Sequence, residues 1–154
     1  MDNEYEFFIA GRTRNKENIL KICTIFDNLN ISYYCFLKNE DSHKKAGLDL
    51  EDENLADTFE SLELKSETVK IIFENDLEGL KKSKNLLLVL PAGKSAHIES
   101  GIAYGLGKKC YAIGEYDVTD SLYLIFDKIL KDNEELKKFL KEKYYEKSKN
   151  KKVI

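Results

Sequence analysis

Tryptophan is absent from the 154 residues and proline occurs once, at Pro91. With so little proline and only eight glycines, there is no Ser/Gly/Pro linker, no low-complexity segment and no repeat along which to divide the chain. A long apolar run is missing as well: the aliphatic stretch Leu86–Leu90 falls far short of the roughly 20 residues that cross a bilayer. The opening Met1-Asp2-Asn3-Glu4 is acidic and lacks the basic n-region of a secretory leader, so none is expected. Cysteines are few, odd in number and far apart (Cys23, Cys35, Cys110), and they sit among apolar neighbours. That pattern argues for buried thiols in a reducing cytoplasmic setting, against a disulfide framework or zinc site. A large charge of one sign is also lacking. The net charge is −3, which leaves neither a nucleic-acid polymer nor a membrane surface as an expected partner.

What is present is a globular composition, 42% apolar and 34% charged, of a length that suits one domain spanning 1–154 with one sizeable core. Its charge usage is uneven. Lysine is abundant, yet the only two arginines, Arg12 and Arg14, lie two residues apart. A guanidinium offers a rigid fork of donors that an ammonium lacks. The spot therefore calls for a bidentate contact to phosphate or carboxylate, or it reflects chance in a lysine-biased chain.

Apolar spacing predicts alternating strands and helices. Tyr5–Ala10 reads as a buried first strand, Asn15–Asn30 as an amphipathic helix, and Ile31–Leu37 as a second strand. Lys38–Gly47 reads as a polar loop, and the acidic Leu48–Leu64 as a short helix or a lid. Ser66–Lys82 reads as a helix and Asn85–Leu90 as a central parallel strand, ended by Pro91. Ala96–Leu106 follows as a helix, Cys110–Gly114 as a fourth strand, and Ser121–Tyr145 as a long final helix whose lysine-rich end, about 144–154, frays. The expectation is an α/β, Rossmann-like parallel sheet with helices on both faces.

Ligands of such sheets bind at the carboxyl ends of strands. Two segments fall there: Gly11-Arg12-Thr13-Arg14, and the small-residue loop Pro91–Ala96 that runs into a helix. Free backbone N–H groups at that helix start form an anion site. Glu99 is expected in the first helical turn, either as a favourable charge at the helix N-terminus or as a functional carboxylate. Gly101 and Gly105 then lie one turn apart, each costing a helix about 1 kcal/mol unless a close approach of another element offsets it. Asp76 interrupts the apolar stripe of its helix. It either faces a cleft or caps the turn Leu77–Lys82. His97 reads as a loop or surface residue rather than a general base, and His43 has no assigned role. The chain contains no Walker A spacing, no Gly-x-Gly-x-x-Gly fingerprint, no Gly-x-Ser-x-Gly elbow and no metal-ligand spacing. Neither a cofactor nor a metal is expected.

The succession FFIAGRTR, ENDLEGLKKSKNLLLVLPAGKSAHIESGIAYGLGKK and CYAIGE resembles the nucleoside 2-deoxyribosyltransferase superfamily, which includes the 2′-deoxynucleoside 5′-phosphate N-hydrolases. The resemblance runs from about Phe7 to Glu115, with Lys38–Lys65 poorly matched. It implies cleavage of an N-glycosidic bond with Glu99 as nucleophile and Asp76 as a carboxylate near sugar and base. Gly11, Arg12, Gly93, Ser95 and Ala96 would fall around the sugar or phosphate. It further implies a nucleoside or nucleotide as substrate and a homodimer or larger homo-oligomer. One departure stands out: the family commonly has a tyrosine on strand one against the nucleophile, where this chain has Phe7 and Phe8. Pro91–Glu99 is also similar in spacing to the Pro-Gly-Gly-x-Gly-Thr-x-x-Glu motif of LOG-like phosphoribohydrolases, with Ala92, Ser95 and Ala96 in place of expected residues.

Breaking a C1′–N bond builds oxocarbenium character on the sugar, which an adjacent ionised carboxylate stabilises or captures. Two other classes remain as alternatives: a nucleotide-binding sensor without catalysis, favoured by the strand-one phenylalanines, and a TIR-like NAD glycohydrolase.

Overall fold

The computed structural model describes residues 3–38, 53–63, 65–116 and 120–146. Most of the expected polar loop, with His43, and the lysine-rich stretch beyond 146 lie outside these residues. Five parallel strands run in the order β2-β1-β3-β4-β5. They are β1 (Tyr5–Ala10), β2 (Tyr33–Cys35), β3 (Ser83–Val89), β4 (Lys109–Ile113) and β5 (Phe126–Leu130). The helices are α1 (Lys16–Asn28), α2 (Leu55–Ser61), α3 (Glu67–Lys81), α4 (Lys94–Gly105) and α5 (Asn133–Lys141).

Both faces of the sheet are covered, so the inner strands are apolar on successive residues rather than alternating. Phe7, Ile9, Leu87, Val89, Tyr111 and Ile113 pack beneath Ile22 and Phe26 of α1 and Leu136 and Leu140 of α5. Phe8, Ala10, Leu86, Leu88, Cys110 and Ala112 pack beneath Leu80 of α3 and Ala96 and Ala103 of α4. The three cysteines are free and buried. Gly114 closes β4 at φ +118°, a conformation L side chains rarely adopt, and its N–H bonds the carbonyl of Leu130 at 2.9 Å. A Cβ there would stand 2.9 Å from the Leu90 carbonyl oxygen.

Three expectations change. The second strand is only Tyr33–Cys35, because Phe36–Lys38 winds into a 3₁₀ turn. Among the described residues β2 is an edge strand paired with β1 alone, so no described strand on its outer side holds the rest extended. The long final helix is instead a 3₁₀ turn (Ser121–Ile125), strand β5, and α5 with a π turn over Glu142–Glu146. The stripe Leu122, Ile125, Phe126, Ile129, Leu130 fits helical spacing, but β4 offers an open row of backbone donors and acceptors that Phe126–Leu130 satisfies. Two aspartates mark the true starts. Asp120 accepts from the N–H of Leu122 at 2.8 Å, and Asp132 accepts from that of Glu135 at 3.0 Å. Finally, Gly101 and Gly105 have nothing within 4 Å of an added Cβ among the described residues, so no close approach among these offsets their cost.

Candidate active site

In strand order 2-1-3-4-5 the winding reverses between β1 and β3, and the crevice outside their carboxyl ends is where such sheets bind ligands. Both segments singled out in the sequence converge there. Gly11 and Arg12 leave β1, and Pro91–Gly93 leaves β3 to start α4. The side chain of Asn15 ties the two exits together, its Nδ2 donating to the Leu90 carbonyl at 3.4 Å. The crevice is a cleft of about 680 Å³ whose lining includes Gly11, Arg12, Asp76, Gly93, Lys94, Ser95, Ala96 and Glu99.

Two carboxylates face this cleft from different helices. Asp76 lies in mid-α3, so it caps no helix end; the phenol of Tyr34 donates to its Oδ1 at 2.9 Å. Burial pushes the Asp76 carboxyl up to about 6, with the Tyr34 hydrogen bond pulling the other way. Glu99 is pushed further, to about 8, first by burial and then by the negative charge of Asp76. The sequence placed Glu99 in the first helical turn, where a helix N-terminus would hold it ionised. The helix in fact begins two residues earlier, at Lys94, and has no acidic residue in its first turn. Glu99 is its sixth residue, where the dipole has fallen off. Like charge and desolvation therefore dominate, and no residue among those described donates a hydrogen bond to its carboxylate. Because the charge of Asp76 helps to hold Glu99 up, the pair carries a single proton over roughly the interval between the two values.

The start of α4 in the same cleft suits an anion. α4 starts at Gly93 without a side-chain cap, and the backbone N–H groups of its first turn have no helical acceptor. Ser95 and Lys94 are exposed there, beside the buried Ala96. The two arginines part company: Arg14 Nη2 is bonded to Asp57 Oδ1 of α2 at 2.8 Å, whereas Arg12 is exposed and makes no side-chain hydrogen bond or ion pair among the described residues. His97 lies in α4, turned away from base chemistry. Its Nδ1 lies 2.8 Å from the Gly93 carbonyl and its Nε2 2.8 Å from the Tyr123 hydroxyl. Donation to the carbonyl requires the proton on Nδ1, which leaves Nε2 to accept from the phenol. The ring thus clamps the Gly93 turn to the segment before β5. Among the described residues, no group of three His, Cys, Asp or Glu is arranged to hold a metal ion.

Sequence reasoning missed Tyr34, Phe36 and Leu37. The last two line the cleft where β2 ends early. A signal for Tyr34 was present in Gly79, a glycine inside a helix: its missing side chain is the notch that admits the Tyr34 ring.

No family model and no curated protein matches the chain. Among solved structures it is similar to a 2-deoxyribosyltransferase from the psychrotolerant bacterium Bacillus psychrosaccharolyticus, with a TM-score of 0.62 and 16% identity. The similarity covers 85% of this chain and 89% of that one. The chain has the 2-deoxyribosyltransferase fold. That agrees with the Rossmann-like α/β expectation, including the parallel sheet covered on both faces. No helix among the described residues is long and apolar enough to cross a membrane.

Proposed function

We propose that this chain is a cytoplasmic enzyme that cleaves the N-glycosidic bond of a nucleoside 5′-monophosphate, as a hydrolase or a deoxyribosyltransferase, with Glu99 as nucleophile and Asp76 as proton donor. The observation that carries this reading is the pairing of two half-buried carboxylates, from α3 and α4, in the cleft at the sheet's switch point. The similarity in fold to a 2-deoxyribosyltransferase supports it.

A pair holding one proton has the composition this reaction needs. With the proton on Asp76 and Glu99 ionised, Asp76 protonates the departing base as the C1′–N bond breaks, and a Glu99 oxygen forms a bond to C1′. Water then cleaves the glycosyl ester in a hydrolase; a second base does so in a transferase. In the unliganded cleft the proton favours Glu99, the weaker acid. Bound substrate has to shift that proton to Asp76, through contacts that favour an ionised Glu99 beside the developing positive charge on the sugar.

The deciding experiment incubates the protein with nucleosides, deoxynucleoside monophosphates and NAD, and separates the released bases by chromatography. Base release from a monophosphate is the expected result. Nicotinamide release from NAD alone would move the reading to a TIR-like glycohydrolase, and binding without release would move it to a nucleotide sensor.

Arg12 is the residue assigned to the 5′-phosphate, because it lines the same cleft as the open N-terminus of α4. Hydrogen bonds from a guanidinium to an anion are worth about 1.5–3 kcal/mol. Arg12→Ala is therefore expected to raise KM for the monophosphate by roughly tenfold to a hundredfold, with a far smaller change for the nucleoside. Equal changes on both substrates would remove the phosphate from the model.

The same reading includes a homodimer or larger homo-oligomer. On α4, Ile98 (63% exposed), Tyr104 (57%) and the following Leu106 (52%) leave an apolar strip beside the open Gly101 and Gly105. The mass in solution at micromolar concentration is expected to be at least twice that of the chain, and Ile98→Lys is expected to lower it. A monomeric wild type would contradict this part.

A further inference from the structure

We propose that Tyr34 is a positioning residue for Asp76: its phenol occupies Oδ1, which leaves Oδ2 as the oxygen that carries and delivers the proton, and it steadies the carboxylate that remains once the proton has gone.

Tyr34 touches none of the cleft and is only 8% exposed, so it does not meet substrate. Its ring is fixed on several sides. Phe8 stacks on it, with centroids 5.4 Å apart and planes within 9°. Tyr5 meets it edge-on at 5.7 Å. The backbone of Gly79 lies so close that a Cβ there would stand 2.6–2.8 Å from three ring atoms. Gly79 and Asp76 are three residues apart on α3, hence on one face of the helix. α3 therefore presents a two-part receptor, a notch for the ring and an acceptor for the hydroxyl at its tip. A ring held this way has its hydroxyl direction set before substrate arrives, so the hydrogen bond needs no ordering during the reaction.

The chemistry follows from the inventory of the group. A carboxyl that accepts a hydrogen bond on one oxygen keeps its own proton on the other. Among the described residues Asp76 makes no second hydrogen bond, and it lines the cleft. A bond to the ionised form also makes Asp76 a stronger acid, in the direction opposite to its burial. The titratable groups around Asp76 are Tyr34 from β2 and Glu99 from α4. Arg12, Arg14 and Lys94 line the same cleft, Arg14 already being paired with Asp57.

The proposal rests on the glycosidase reading only for the destination of the proton, and its test is independent of turnover. The full chain, labelled with ¹³C in the aspartate carboxyls, is titrated by NMR as wild type and as Tyr34→Phe, which keeps the ring and its stacking. The Asp76 midpoint is expected to rise by about one unit. The alkaline limb of the pH profile of base release is expected to move the same way, with kcat lower by about tenfold on the low-pH plateau, where Asp76 is protonated in both proteins, and KM little changed. Gly79→Ala, which displaces the ring without removing a polar atom, is expected to raise the midpoint too. A folded Tyr34→Phe variant whose Asp76 titrates as in the wild type would overturn the proposal, whatever its melting temperature, since a purely packing role changes stability alone. A shifted midpoint in a protein that releases no base would uphold Tyr34 and sink the glycosidase reading; base release with an unshifted midpoint would do the reverse.

Discussion

Glu99→Gln is expected to lower base release by several orders of magnitude while leaving the fold and nucleotide binding intact. The amide matches the carboxylate in shape but cannot form the bond to C1′ or balance positive charge there, so the loss falls on kcat rather than on KM. Asp76→Asn should also slow turnover, most of all for substrates whose base leaves poorly without a proton. Because Asp76 caps no helix end, its replacement should cost little stability. Single-turnover rates on the best substrate of the panel, with ligand affinity measured separately, distinguish chemistry from binding. A Glu99→Gln variant with turnover near that of the wild type would require another nucleophile.

The second large effect is on stability, and it has the opposite sign. Both carboxyls have folded-state values above their ordinary ones, about 6 for Asp76 and about 8 for Glu99. From about pH 4 upward the unfolded chain releases these protons while the folded chain keeps them. Stability falls wherever the folded state binds more protons, so it should fall as the pH rises from about 4 to 8 and level off above that. Below about pH 4 both states are protonated at these sites and the penalty vanishes. Glu99→Gln removes most of the penalty. Relative to wild type it should be nearly neutral at pH 4.5 and more stable at pH 8.5 by about 2–5 kcal/mol, a rise in Tm of roughly 5–15 °C. Thermal unfolding of both proteins across this range measures it. A Tm difference independent of pH would mean that Glu99 is not held up by burial and by Asp76. The substitution that abolishes activity is thus the one expected to stabilise the protein, as befits groups kept in a costly state for function.

How far the sequence could be read depended on whether local pattern or tertiary partners decided the outcome. β1 was legible to the residue, because YEFFIA is a buried strand closed by a glycine whatever packs on it. α1, α3 and β3 were legible within one or two residues for the same reason. β5 was not: its apolar spacing fits a helix, and only the open edge of β4 makes it a strand. Within the site, Gly11, Arg12, Asp76, Gly93, Ser95, Ala96 and Glu99 all line one cleft: the loops leaving β1 and β3 meet where the parallel sheet changes winding direction, and α3 and α4 each turn a carboxylate toward it. Tyr34 was hidden because nothing in its neighbourhood of the chain announces Asp76, 42 residues away. Nor could spacing show that Glu99 lies one turn deeper than the helix start, since the starting residue depends on where Gly93 caps α4.

The strand order bears on how the protein can be made. β2 pairs with β1, β3 is added to the free side of β1, β4 to β3, and β5 to β4. Each strand emerging from a ribosome therefore joins an edge already exposed, and none has to be inserted between two partners that have already met. The sheet can grow during synthesis in one direction, from an early β1–α1–β2 nucleus outward. The cost of this arrangement is borne late. Until Phe126–Leu130 has been translated, β4 presents an unpaired apolar edge, and such an edge is a template for joining another nascent chain. Stalled or prematurely terminated products that end between Ile113 and Phe126 keep that edge open.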